Sequence, residues 1–295
     1  MVPRDDAEQL DATLSEIDWA ELPHGAVRSR FPAPSGSLAA VSLGDPSAQR
    51  VLLVPGITGS KEDFTLMLPG LAAAGYYVQS FDLAGQYESA DAGPEAVSGG
   101  SHYDHELFVA DLIAVLEAGS TPAHVLGYSF AGTVAQIALA RRPELFASIT
   151  LLSCPPQPGQ GFRGVKRIGA LSWLATGRIG AALMIWGIRR NFVRVSDARL
   201  RFVNHRFRYT RRRSVSDVVG LMKRSPDLRA VLAANPIPKL IAVGEHDLWP
   251  LELHASFAAA IGATLAVYPA GHSPCETSPH QLNRDLLSLY ESAGR

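Results

Sequence analysis

Four short runs of almost unbroken aliphatic residues, each cut off by a turn, limit most sharply what this chain can become. They are "RVLLVPG" at 50–56, "AHVLG" at 123–127, "SITLLSC" at 148–154 and "KLIAVGEHD" at 239–247. Each is too short for a buried helix and lacks the alternation of a strand with one wet face, which leaves a strand covered on both faces. "YYVQSFD" and "TLAVYPAG" read as further strands. Helix-patterned stretches separate them: "KEDFTLMLPGLAAAG", "DHELFVADLIAVLEAG" with Asp104 as N-cap, "FAGTVAQIALARR" closed by Pro143, "LELHASFAAAIG" and "PHQLNRDLLSLYES". Short buried strands alternating with helices predict a parallel sheet with helices on both sides and functional loops at the carboxyl ends of the strands.

The flanks fit this plan. "AVRSRF" and "SLAAVSL", joined by "PAPSG", predict a hairpin, and the acidic opening "MVPRDDAEQLDATLSEIDWAEL" is helix-patterned without the basic start and apolar run of a signal peptide. The longest apolar stretch, "GALSWLATGRIGAALMIWGI", is broken by Arg178 and glycines and reads as a buried or interfacial helix, not a membrane span. Cys154 and Cys275 make no disulfide framework, which suits a reducing cytoplasm, and no Cys/His spacing suggests a metal site.

Charge divides the chain. Net charge is −1, but residues 155–235 carry 17 Lys+Arg against 3 acids, while the remainder carries 10 against 25. Two segments of opposite charge predict a basic, helix-patterned module at 156–235 inserted into a core formed by 1–155 and 236–295.

At 127–133 the chain reads "GYSFAGT", where a buried strand runs into a helix. Ser129 has two readings: a helix N-cap, or a nucleophile at the apex of a sharp bend whose small flanks, Gly127 and Ala131, let it close. A serine hydroxyl needs a base within hydrogen-bond reach and a third group to orient that base. "GYSFA" resembles the G-x-S-x-G elbow of the α/β-hydrolases, with Ala131 in place of the last glycine. The order nucleophile, acid, histidine then finds partners. Asp247 in "VGEHDLWP" falls where that family keeps its acid, with Glu245 as the rival carboxylate and a plain turn role as the bland alternative. His272 in "PAGHSPCE" matches the terminal Gly-His. His24, His102, His105, His124, His205, His254 and His280 read as surface or packing residues, and His246 stands beside the acid with its role open.

The same resemblance implies an oxyanion hole built from the backbone N–H groups of Ile57, after "LLVPG", and Phe130, after the serine; Pro55 replaces the family's histidine. "FDLAGQYESA" resembles the family's D-x-x-G-x-G-x-S loop with Tyr87 at the second glycine; Asp82 organises it, and Gln86 and Tyr87 face either substrate or solvent. The implied fold is the α/β-hydrolase fold: a mostly parallel central sheet flanked by helices, with an inserted helical lid. The implied activity is a cofactor-free serine hydrolase cleaving a carboxylic ester or related acyl compound through an acyl-enzyme. Cleavage of a C–C bond or lactone by the same three residues, and a non-catalytic ligand-binding role, are the alternatives.

The insertion occupies the place of a lid. Trp173 and Trp186, with Leu174, Leu183 and Met184, form either an apolar ceiling over substrate or the core of the lid itself, and Tyr128 joins Trp173 and Trp186 as a candidate substrate contact. The arginines, notably "RLRFVNHRFRYTRRR", read first as a solvated face partly paired with the acidic core. Attraction of an anionic or carrier-linked acyl substrate comes second. A nucleic-acid or membrane surface comes last, because the excess acid elsewhere argues against it.

Overall fold

The computed structural model of the chain describes residues 4–97, 99–159, 161 and 196–294. Eight strands form one sheet: β1 (Val27–Ala33), β2 (Gly36–Leu43), β3 (Arg50–Val54), β4 (Tyr77–Phe81), β5 (Ala123–Tyr128), β6 (Phe146–Leu152), β7 (Lys239–Gly244) and β8 (Thr264–Tyr268). Their order is β1-β2-β4-β3-β5-β6-β7-β8. The hairpin β1–β2 and the β2–β4 pair are antiparallel, and every other pair is parallel. The four aliphatic runs are thus the adjacent central strands β3, β5, β6 and β7, and they end along one edge.

Side chains alternate across a strand, so each run feeds two cores. Leu52, Val54, Val125, Ile149 and Ile241 pack on one side, against α3 (His105–Glu117), α4 (Phe130–Arg141) and α8 (Leu251–Ile261). Val51, Leu53, Leu126 and Leu240 pack on the other, against α2 (Leu68–Ala73) and α10 (Pro279–Ala293). Burying each such side chain contributes about 1.5–3 kcal/mol, which is why the runs are mostly aliphatic. Arg50, at the mouth of β3, is one charged exception: its buried guanidinium donates to Gln79 and to the Val115 and Leu116 carbonyls at the end of α3. Burial lowers its pKa to about 10, and those acceptors let it stay inside.

Asp104 caps α3 as expected, accepting from the Leu107 N–H at 2.8 Å. Two helix expectations are corrected. The stretch from Lys61 is a 3-10 turn, Lys61–Phe64, and α2 starts only at Leu68, with Pro69 in its first turn where a missing N–H costs nothing. The N-terminal helix α1 (Arg4–Ala12) stops before "TLSEIDW". Asp11 near its end accepts from the backbone N–H groups of His280 and Gln281 and so caps α10. Between β6 and β7 lie α5 (Asp197–Tyr209), α6 (Arg212–Met222) and α7 (Arg229–Ala234), in keeping with the helical pattern of the basic segment. Before α10 comes a single short turn of helix, α9 (Pro274–Thr277).

Candidate active site

Ser129 stands between β5 and α4 with φ 54° and ψ −119°, a conformation non-glycine residues avoid. Its N–H donates to the Leu152 carbonyl at 2.8 Å, which pins the bend to the end of β6. Its side chain makes no capping bond to α4, so the N-cap reading is not what holds it there. The bend is tight: a Cβ on Gly127 would lie 2.6 Å from the Ala131 carbonyl oxygen. Gly127 therefore supplies the clearance, and the methyl of Ala131, wholly buried, is accommodated.

The loops after β7 and β8 bring two further groups to this point. His272 Nε2 lies 3.2 Å from Ser129 Oγ, and His272 Nδ1 lies 2.5 Å from Asp247 Oδ1. The loops are tied to each other by Glu245 N–H to the Tyr268 carbonyl at 2.9 Å and His246 N–H to the Ala270 carbonyl at 3.0 Å. Asp247 is buried, whereas the rival Glu245 is exposed, as is His246. Burial alone would raise the Asp247 pKa, but His272 and His254 outweigh it and hold the carboxyl at about 2. A hydroxyl, an imidazole and a carboxylate touch in series.

His254 corrects the sequence reading. It is not a surface or simple packing residue: its Nε2 lies 3.0 Å from Asp247 Oδ2. The others fit that reading better. His124 is buried beside Ser148 and Tyr290, its pKa lowered by burial to about 4, and His102 is exposed.

Gly56, which precedes Ile57, lies against the serine, for a Cβ on it would be 3.0 Å from Ser129 Cβ. Phe130 opens α4, so its N–H has no helical acceptor. The Tyr128 ring tilts against His272 at 5.4 Å between centroids, and its hydroxyl is bonded to Ser273 Oγ at 2.8 Å. Trp173 and Trp186 lie outside the described residues.

The loops around this point are held by buried charge. Asp82 accepts from the Lys61 N–H at 2.8 Å, the Lys61 ammonium at 3.3 Å and the Glu88 N–H at 3.2 Å, as expected of a loop organiser. Gln86 is buried, which removes the solvent-facing option for it, and Tyr87 turns with φ 43°, its ring against Phe202 of α5. Two arginines of the basic segment are not a solvated face. Arg199 and Arg206 are buried, both bonded to Asp63 Oδ1, and Arg199 also grips Glu276 while its guanidinium covers Trp19 at 4.2 Å. Arg211 pairs with Glu95 at 3.0 Å, as expected for contacts with the acidic core. Among the described residues, no group of three or more His, Cys, Asp or Glu is placed to hold a metal ion, and no helix is long and apolar enough to cross a membrane.

A mostly parallel sheet carrying a strained serine between strand and helix, with loop-borne histidine and carboxylate beside it, defines a hydrolase-type α/β protein. The alpha/beta hydrolase family model matches residues 51–285, and the chain belongs to that family. No curated protein matches it in sequence. Among solved structures it is similar to a bromoperoxidase from Bacillus anthracis, at 17% identity and TM-score 0.73, covering 90% of this chain and 100% of that one. An esterase from Exiguobacterium antarcticum has 19% identity and TM-score 0.73, with 90% and 100% covered. An epoxide hydrolase from Vigna radiata has 13% identity and TM-score 0.69, with 92% and 100% covered. Three activities on one architecture leave the reaction to be argued from the site.

Proposed function

We propose that this α/β hydrolase is a serine hydrolase cleaving a carboxylic ester or related acyl compound through an acyl-enzyme. The observation that carries the reading is the single imidazole within hydrogen-bond reach of both Ser129 Oγ and the Asp247 carboxylate. His272 Nε2 takes the hydroxyl proton as Ser129 Oγ attacks the carbonyl carbon. The imidazolium that forms is stabilised by Asp247 and gives the proton to the leaving alcohol as the C–O bond breaks. Backbone N–H groups of Ile57 and Phe130 bind the oxyanion, a contribution worth about 3–4 kcal/mol per donor in comparable sites. Water, activated by the same imidazole, then releases the acid and restores the serine.

A serine at this position favours acyl transfer over chemistry that needs a carboxylate nucleophile there. The segment 156–235 is proposed as a lid on the core formed by 1–155 and 236–295, bounding a small acyl substrate, with its exposed arginines favouring an anionic or carrier-linked one. The thiols of Cys154 and Cys275 are free, in keeping with a reducing cytoplasm.

The test is labelling with a fluorophosphonate followed by peptide mass mapping. Ser129 is expected to carry the adduct, and Ser129→Ala is expected to lose both the label and turnover of short p-nitrophenyl esters. A label on another residue, or unchanged turnover in Ser129→Ala, refutes the reading.

A further inference from the structure

Asp247 serves two imidazoles. Its Oδ1 lies 2.5 Å from His272 Nδ1, and its Oδ2 lies 3.0 Å from His254 Nε2. His254 belongs to α8, two turns or so beyond Asp247 in the chain, and its side chain is fully buried. An ionised carboxylate only accepts hydrogen bonds, so Nε2 of His254 carries the hydrogen. The opposite nitrogen, Nδ1, has no hydrogen-bond partner among the described residues. A hydrogen on Nδ1 would be a buried donor with nothing to bond, whereas one on Nε2 meets the Asp247 carboxylate.

The indole of Trp249 completes the arrangement. Its ring centroid lies 6.3 Å from that of His254 and 5.9 Å from that of His272, and its N–H is anchored on the Gly161 carbonyl at 2.7 Å. A histidine serving only as packing has no reason to aim its one N–H at the buried oxygen opposite His272. We propose that His254 is a positioning residue of the site. Its Nε2–H holds the Asp247 carboxylate in the rotation that presents Oδ1 to His272, and by sharing the negative charge it tempers how strongly Asp247 retains a proton on His272. The proposal rests on the serine-hydrolase reading of Ser129, Asp247 and His272.

Other groups do not compete for this role. From α7, Arg229 is paired with Asp227 at the surface. From β7, Lys239 donates to the Asn235 and Ile237 carbonyls. From β8, the Tyr268 hydroxyl bonds Asp285 at 3.0 Å. Behind the elbow, burial pushes the Cys154 thiol up to about 12 and keeps it neutral. The charged partner facing His254 is Asp247, whose pKa of about 2 reflects both imidazole donors acting against its burial.

The experiment follows the second-order rate of fluorophosphonate labelling from pH 5 to 9 in the wild type, His254→Phe and His254→Gln. Loss of a hydrogen bond to a buried charge predicts labelling about 10- to 100-fold slower in His254→Phe. Its acidic limb should move to higher pH, because a carboxylate short of one donor is a stronger acceptor for His272. His254→Gln, whose amide N–H reaches the same oxygen, should restore the limb and most of the rate. A folded His254→Phe with the wild-type rate and limb overturns the proposal, and so does a His254→Gln as impaired as His254→Phe. Should His254→Phe not fold, nitrogen-15 NMR of the unmodified protein decides: a protonated Nε2 with a bare Nδ1 supports the role, and the Nδ1–H tautomer overturns it. Failure of Ser129 to label in the wild type would instead remove the hydrolase reading, leaving the His254–Asp247 tautomer measurement standing.

Discussion

Replacing Asp63 by Asn tests the electrostatic joint between the basic segment and the core. Asp63 lies in the 3-10 turn following the Ile57 loop, 2% exposed, with Oδ1 at 2.6 Å from Arg199 and 2.5 Å from Arg206. Glu276 balances Arg199 from the other side at 2.6 Å. Two cations and two carboxylates make a buried cluster with no net charge. At these separations, and with an effective dielectric constant near 20, each contact is worth about 6 kcal/mol before desolvation, which cancels most of it. Asp63→Asn leaves Arg199 and Arg206 facing Glu276 alone, a buried surplus cation, and the expected loss is about 3–5 kcal/mol in urea unfolding at pH 7. Adding Arg206→Met removes the surplus, so the double variant should be more stable than Asp63→Asn by itself. Burial alone would raise the Asp63 pKa, but Arg206 and Arg199 overcome it and hold the carboxyl below its ordinary value. A depressed folded pKa gives stability that is complete above the unfolded carboxylate value near 3.9 and is lost as pH falls through the folded one. The gap between wild type and Asp63→Asn should therefore close on acidification and persist at neutral pH. A loss below about 1 kcal/mol, or substitutions that add within about 0.5 kcal/mol, would refute the reasoning.

Two further outcomes follow from close packing at the same end of the sheet. A Cβ on Gly244 would lie 2.0 Å from the Gly271 carbonyl oxygen and 2.4 Å from that of Ala270, so Gly244→Ala should push the His272 loop off Asp247. Fluorophosphonate labelling should slow at least about tenfold, with a stability loss of about 1–3 kcal/mol; an unchanged labelling rate counts against it. Cys154 is buried, its thiol pushed up to about 12, so an aromatic disulfide reagent at pH 8 should leave it unmodified in the native protein and modify it after unfolding in urea. Rapid native modification at Cys154 would contradict that burial.

What the sequence made legible was whatever repeats a local rule. The aliphatic runs declare β3, β5, β6 and β7 because a strand covered on both faces is mostly aliphatic on both, and Asp104 declares the start of α3 because capping is decided within three residues. The order of Ser129, Asp247 and His272 was readable because each follows a strand that ends at the same edge. What escaped depends on partners far away in the chain. Tyr87 adopts φ 43° where glycine was the expected residue, helped by rings and a cation from other segments: Phe202 at 5.8 Å and Lys61 at 5.1 Å. His254 carries no local mark, since nothing in "LELHASF" announces that its imidazole will meet a carboxylate seven residues back across a turn. Arg199 and Arg206 were half visible. They share the i, i+3, i+4, i+7 stripe with Phe202 and Val203, which is the buried face of α5, but charge led to a solvated reading. A stripe position outranks residue type when carboxylates wait on the other side, and here Asp63 and Glu276 do. Helix α5 is therefore held by ion pairs to Glu276 and to Asp63, the latter in the turn that follows the Ile57 loop, so a change in that joint should reach the proposed oxyanion donor before it reaches the serine.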